Sequence, residues 1–174
     1  GYEAYLEACG GHVFAGMARR QVARECTQAA PARTPQAPGA LVVDAAGGGG
    51  YTDLAQALRA ASDGAVIELY PGTYRGGIEV SRPLSIVGRG APGEVVLLAE
   101  GGPAVVWTAA GGGIDGITIR HRDDASAAVE VTRGALTLER TIIDSDGLAA
   151  VRLRDDRGSV LRRNKVFAGA ARGI

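Results

Sequence analysis

Residues 105–128 read VVWTAAGGGIDGITIRHRDDASAA, residues 129–150 read VEVTRGALTLERTIIDSDGLAA, and residues 151–174 read VRLRDDRGSVLRRNKVFAGAARGI. Written one beneath another, they bring like residues into columns. Val105, Val129, Val151 and Ile174 lie 24, 22 and 23 residues apart. Ile119, Ile143 and Val166 lie 24 and 23 apart, and so do Ile114, Leu138 and Leu161. The offset from the last ladder to the one before it is five residues in every turn. Three ladders with one shared period need one physical cause. A coil with three strands per turn supplies it, because each strand turns alternate side chains inward and successive rungs lie about 4.8 Å apart. A leucine-rich repeat has a similar period, but its L-x-x-L-x-L-x-x-N signature is absent; a propeller blade needs about 40 residues or more. The sequence therefore predicts an all-β fold, a right-handed parallel β-helix of 22–24 residues per rung. The expectation is about four turns over residues 65–174, with Val105, Val129 and Val151 stacked inside.

Composition agrees with a coil that turns often and packs aliphatic side chains. Gly contributes 27 of 174 residues without a triplet period, and aromatics make up 5%. Formal net charge is zero, so the balance points to no nucleic acid and no anionic membrane as partner. No apolar run approaches the roughly 20 residues that span a bilayer, so no membrane insertion is expected. The chain opens at Gly1 without a signal peptide and ends at Ala170-Ala171-Arg172-Gly173-Ile174, which reads as the opening of another strand. It is expected to be a piece of a longer, multidomain protein, truncated at its C-terminus.

Upstream of the coil two further segments are expected. In residues 1–28, Tyr2, Leu6 and Cys9 keep helical spacing, and Phe14, Met17, Val22 and Cys26 follow after Gly10-Gly11. This predicts a helical hairpin that loosely resembles one tetratricopeptide-like repeat. Residues 29–40, with Pro31, Pro35 and Pro38, predict an extended linker. Cys9 beside the turn and Cys26 a full helix away would be separated by about 20 Å in a straight hairpin, so two free thiols are expected rather than a disulfide. Their spacing fits no zinc pattern. The coil occupies residues 41–174. Within it, Thr52 is the expected N-cap of a helix over about Asp53–Ala61 that covers the N-terminal end.

The segment Gly49-Gly50-Tyr51-Thr52-Asp53-Leu54, then Ala57-Leu58, then Val66 through Tyr74 with its Pro71-Gly72-Thr73-Tyr74, then Leu84-Ser85-Ile86-Val87-Gly88-Arg89-Gly90, resembles the start of pectinesterases and other pectin-lyase-like proteins. The resemblance covers about residues 41–90 by motif and the remainder by period. It implies the parallel β-helix, since these residues are architectural. The chemistry departs from the pattern. Arg75-Gly76-Gly77 stands where pectinesterases place Glu, and their Gln-Asp and Asp-Phe-Ile-Phe-Gly segments have no counterpart.

Register places Asp115, Glu139 and Arg162 in one outward row. Two carboxylates one rung apart lie about 4.8 Å from each other, near the roughly 5 Å pair of retaining glycosidases. The competing and favoured reading is a charged ladder neutralised by Arg162 and the adjacent Arg140 and Arg163. Arg120 is expected on Asp144, and Glu130 on Arg152, as surface ion pairs. His121 opens the loop His121-Arg122-Asp123-Asp124, which is longer by about two residues than its counterpart in the next turn. It is expected as a solvated loop histidine, with a general base or ligand contact as the functional reading. Asn164, aligned with Thr141 and Ile117 at a bend, is expected to satisfy backbone groups.

The catalytic candidates are thus Asp115, Glu139, Asp144 and His121. The ligand-binding candidates are Arg120, Arg140, Arg162 and Arg163, as partners for anionic sugar groups. No metal site is expected. No cofactor is expected either, and calcium is unsupported because Asp123-Asp124 and Asp155-Asp156 lie in different turns. The expected function is a non-catalytic module, secreted or periplasmic, that binds a polysaccharide or a protein partner. The alternatives are a polysaccharide lyase or hydrolase acting on an acidic glycan, and a structural or assembly scaffold.

Overall fold

The computed structural model describes residues 39–168. The expected hairpin with Cys9 and Cys26, most of the linker, and the place of Ile174 lie outside the described residues. From the start of the coil the chain runs β1 (Leu41–Val43), a short helix α1 (Leu54–Ala60), β2 (Val66–Leu69), β3 (Gly72–Arg75) and β4 (Ile78–Val80). It continues through β5 (Leu84–Gly88), β6 (Val95–Ala99), β7 (Val105–Trp107), β8 (Gly112–Asp115), β9 (Thr118–His121) and β10 (Ala127–Gly134). It closes with β11 (Thr137–Glu139), β12 (Ile142–Ser145), β13 (Ala149–Asp156), β14 (Val160–Arg162) and β15 (Lys165–Ala168).

From β2 onward, every third strand falls in the same sheet. The first sheet has the order β1-β2-β5-β8-β11-β14, the second β15-β12-β9-β6-β3 and the third β13-β10-β7-β4. All pairings between them are parallel. The result is a right-handed parallel β-helix of about six turns, the hand that parallel crossovers almost always take. Four turns were expected. That expectation covered residues 65–174, where β2 through β15 make four full turns and part of a fifth; β1, upstream of that span, adds the sixth. Within it, 19 residues separate Ile67 from its partner Ile86 and 28 separate Ile86 from Ile114, so the early rungs keep the downstream period only as an average.

The three ladders form in the expected register. Val129 pairs with Val105 and Val151, Ile143 with Ile119 and Val166, and Leu138 with Ile114 and Leu161. They extend upstream to Ile78, to Leu97 and Tyr74, and to Ile86 and Ile67. The interior is less uniformly aliphatic than composition implies. Trp107 is fully buried between Val80 and Val131, and its ring nitrogen donates to the Ala135 carbonyl at 3.1 Å. A large ring fits there because its polar edge finds a partner at the wall. The exposed large aliphatic and aromatic side chains among the described residues all lie between Leu148 and Phe167, in the last described turn. There the inward residues have no further described rung to pack on.

The capping helix is present, with one correction. Asp53, not Thr52, is its N-cap: Asp53 is extended and its carboxylate accepts from the Ala55 amide at 2.6 Å. A carboxylate there satisfies an orphan amide and also meets the positive end of the helix dipole. Leu54 and Ala57 face the core, and Arg82 closes the other end by donating to the Ala61 carbonyl at 2.5 Å.

Candidate functional site

Outward positions of the first sheet alternate with the inward ladder, so register alone assembles a surface. One row runs Ser85, Gly113, Thr137. The other runs Glu68, Val87, Asp115, Glu139, Arg162. Between them lies an open groove of about 360 Å³ lined by Ser85, Val87, Gly113, Asp115, Thr137 and Glu139. Its floor is low because Gly113 carries no side chain between Ser85 and Thr137. A Cβ at Gly113 would sit 2.9 Å from the Thr137 carbonyl.

The two carboxylates stand in register on adjacent strands, as the sequence predicts. Both are held by arginines. Arg140 donates to Asp115 Oδ2. Arg162 donates to Glu139 Oε2 at 2.8 Å, and Arg163 lies 3.6 Å from Glu139 Oε1. Each arginine therefore reaches back one rung. Arg140 and Arg163 do so from the bend after the first sheet, with φ of 48° and 55°. Gly116 holds the equivalent position one rung earlier, with φ of 70°. A left-handed conformation costs a non-glycine residue about 1–2 kcal/mol, so the two charged bends are kept against local preference. The carboxylates are not equivalent. Both Glu139 oxygens are engaged, whereas Asp115 Oδ1 is shielded from solvent and has no hydrogen-bond partner. Further along the same row, Glu68 is fully buried and accepts from Arg89 at 2.5 Å, while its other oxygen is unpartnered.

The remaining candidates lie on the second sheet and do not join this groove. Arg120 and Asp144 are register partners, but the expected pair is displaced. Arg122 donates to Asp144 Oδ2 at 2.5 Å, and that bond holds the Asp144 carboxyl below the usual range, with Arg120 adding a through-space contribution. The same carboxylate raises the Arg122 guanidinium. Arg122, at the bend after β9, also donates to the Asp144 carbonyl and lies 3.6 Å from Asp146. Glu130 pairs with Arg152 at 3.8 Å as expected, but more closely with Arg154 at 2.9 Å.

His121 is a clear correction. It is the last residue of β9 and is fully buried, not a solvated loop residue. Its Nε2 lies 3.1 Å from the Gly102 carbonyl and 2.9 Å from Ser126 Oγ; its Nδ1 lies 3.0 Å from Ser145 Oγ. A carbonyl can only accept, so in the neutral ring Nε2 carries the hydrogen and Nδ1 accepts from Ser145. The Ser126 hydroxyl donates to Asp123 at 2.5 Å, and that bond is the main reason the Asp123 carboxyl is lowered. Gly147 packs so tightly here that a Cβ would sit 2.6 Å from the ring. The network ties three successive bends together and leaves no accepting nitrogen turned to solvent.

Asn164 behaves as expected. Its Oδ1 accepts from the Thr141 amide and its Nδ2 donates to the Leu138 carbonyl, both at 2.9 Å. Among the described residues no cluster of three acidic, histidine or cysteine side chains could hold a metal ion. No described helix is long and apolar enough to cross a membrane. Sequence reading missed Ser85, Val87 and Gly113 in the groove and the buried Glu68. Their signal is register, hidden by the unequal spacing of the early rungs.

No family model matches this chain, and no curated protein matches it in sequence. Solved structures do match. A pectin methylesterase from carrot superposes with a TM-score of 0.50 at 20% identity, over 80% of this chain and 56% of that one. A pectin methylesterase from Aspergillus niger gives 0.48 at 15% identity, over 80% of this chain and 70% of that one. This chain thus spans little more than half the length of the carrot protein. At such identity the likeness is one of fold.

Proposed function

We propose that this pectin-lyase-like parallel β-helix is a non-catalytic module that binds a polysaccharide along the outer face of its first sheet, as part of an exported multidomain protein. The observation that carries the reading is the groove over Ser85, Gly113 and Thr137, walled by Asp115 and Glu139 in arginine-bound form. An open groove crossing several rungs suits an extended polymer, with hydroxyls and small residues on the floor and charged groups on one wall. A glycosidase pair needs one carboxyl to deliver a proton and the other to attack. Here each carboxylate accepts from a guanidinium, an arrangement that favours holding over proton transfer. The enzyme alternative, cleavage of an acidic glycan, draws on the single-rung spacing of Asp115 and Glu139, which falls near the separation of a retaining pair.

The test uses purified protein, a panel of neutral and uronate-containing polysaccharides, affinity electrophoresis, and reducing-end and double-bond assays. The expected result is retention on at least one polymer with no product. Ser85→Trp, which fills the groove floor, should abolish the retention while leaving the melting temperature near that of the parent. Turnover by the parent protein that disappears in both Asp115→Asn and Glu139→Gln would instead establish the hydrolase reading.

A further inference from the structure

We propose that the open strand edge beside α1 is a docking site for an extended segment of a partner protein, which pairs with β3 and β4 and completes the first turn of the coil. The site is separate from the groove on the first sheet. The first turn supplies one strand, β1; the second sheet ends at β3 and the third at β4. Between β1 and β2 the chain forms α1 instead, which packs against β1, β2 and β4. A helix uses its amides and carbonyls internally, so it can shelter a strand edge without bonding it.

The register shows which groups are left over. The Gly72 amide donates to the Glu94 carbonyl and the Gly76 amide to the Leu98 carbonyl, so Gly72 and Tyr74 are the residues of β3 that bond β6. The Ile78 amide donates to the Ala104 carbonyl, and the Val80 carbonyl accepts from the Thr108 amide, so Ile78 and Val80 bond β7. Alternate residues of a parallel strand serve opposite neighbours. The main-chain groups of Thr73, Arg75 and Glu79 therefore face the empty side, and nothing among the described residues bonds them. All three residues are exposed. Each lines a cavity beside α1: Thr73 and Arg75 one of about 320 Å³, Glu79 one of about 270 Å³. Ala55, Gly77 and Ile78 line both, so the slot follows the edge from β3 into β4.

These walls specify the occupant. Free N–H and C=O groups recurring every two residues, about 6.6 Å along a strand, match the main chain of an extended polypeptide. Peptide recognition by strand addition uses this pairing. Across the slot from Glu79 stand Ala55 and Leu58, both half-buried, a wall that takes a small or aliphatic side chain. Arg59 lines the same cavity. Its Nε donates to the Ala55 carbonyl at 3.1 Å, and its guanidinium forms no ion pair among the described residues, so an acidic side chain on the partner segment complements it.

The probe is a displayed library of random linear peptides selected on the full chain, with the strongest binder then synthesised. The expected binder carries an acidic residue near a small or aliphatic one and slows amide exchange at Thr73, Arg75 and Glu79. Glu79→Pro, which deletes an edge N–H at a place where a strand tolerates proline, should melt near the parent and bind at least about tenfold more weakly. Glu130→Gln, on β10, should leave affinity unchanged. N-methylation of the peptide at alternate positions should abolish binding, and at the positions between should not, because a strand turns its amides alternately to two sides. Failure to select any peptide, parent affinity in a folded Glu79→Pro protein, or an N-methyl scan without alternation overturns the proposal. So does a concentration-dependent dimer of the full chain that Glu79→Pro dissolves, which gives the edge to a second copy, or polysaccharide retention lost in that variant, which gives it to a glycan. If Glu79→Pro does not fold, the N-methyl scan decides.

Discussion

At the scale of single residues, Asn164 shows how a bend is held. Its amide fills an acceptor and a donor site between two rungs, to the Thr141 amide and the Leu138 carbonyl. Neither partner belongs to a neighbouring residue in sequence, so the bonds exist only once the coil has closed. Truncation would leave both backbone groups without their partner in a partly buried place, at about 1–3 kcal/mol. Asn164→Ala should therefore lower stability by that amount in denaturant melts, and Asn164→Asp should cost at least as much at neutral pH, because it keeps the acceptor for the Thr141 amide but sets a carboxylate oxygen against the Leu138 carbonyl. A loss under about 0.5 kcal/mol for the alanine variant would mean that water replaces the amide. His121 teaches the complementary lesson. A histidine followed by Arg-Asp-Asp reads as loop surface in sequence. It is interior because three bends brought together supply a carbonyl and two hydroxyls for its ring.

At the scale of the element, β10 is the strand on which the third sheet depends. It runs eight residues and pairs with β7 on one side and β13 on the other. Val129 is one of its fully buried inward residues, between Val105 and Val151. Val129→Asp places an unpaired carboxylate among aliphatic side chains, which costs several kcal/mol even after relaxation. The variant should express poorly or lack a cooperative melt and the strand signal in circular dichroism. A normal melt would contradict the inward register. The short α1 follows another logic. Seven residues are too few to be stable alone, and its cap, two core-facing residues and the Arg82 bond at its far end hold it against the coil.

At the scale of the whole molecule, charge runs between rungs and sets the response to acid. Asp123, Asp144 and Asp156 all sit below the ordinary carboxyl value, held there first by Ser126, Arg122 and Ser159 respectively. A carboxyl lowered in the folded state binds a proton less readily than in the unfolded chain. Its contribution is present in full above the unfolded value near pH 4 and is lost as pH falls through the lower folded values. The melting temperature should therefore hold from pH 7 to about pH 5 and drop below about pH 4. Arg122→Ala should make that drop shallower by removing the main cause at Asp144; an identical acid limb in the variant would rule out the Arg122 bond as that cause. At this scale too, the division between sequence and structure is clear. The sequence alone determined the coil, its three ladders, their mutual offset and the pairing of Asp115 with Glu139. Periodicity is a property of the chain, and parallel stacking converts a period directly into contact. Tertiary structure decided what the period does not reach. Early rungs of unequal length concealed the Ser85–Gly113–Thr137 floor. The bend after β9 gave Asp144 to Arg122 rather than to Arg120. The convergence of three bends buried His121. Only the folded groove shows that one oxygen of Asp115 is left without a partner while Glu139 is fully engaged, because that difference depends on where long side chains from other rungs come to rest.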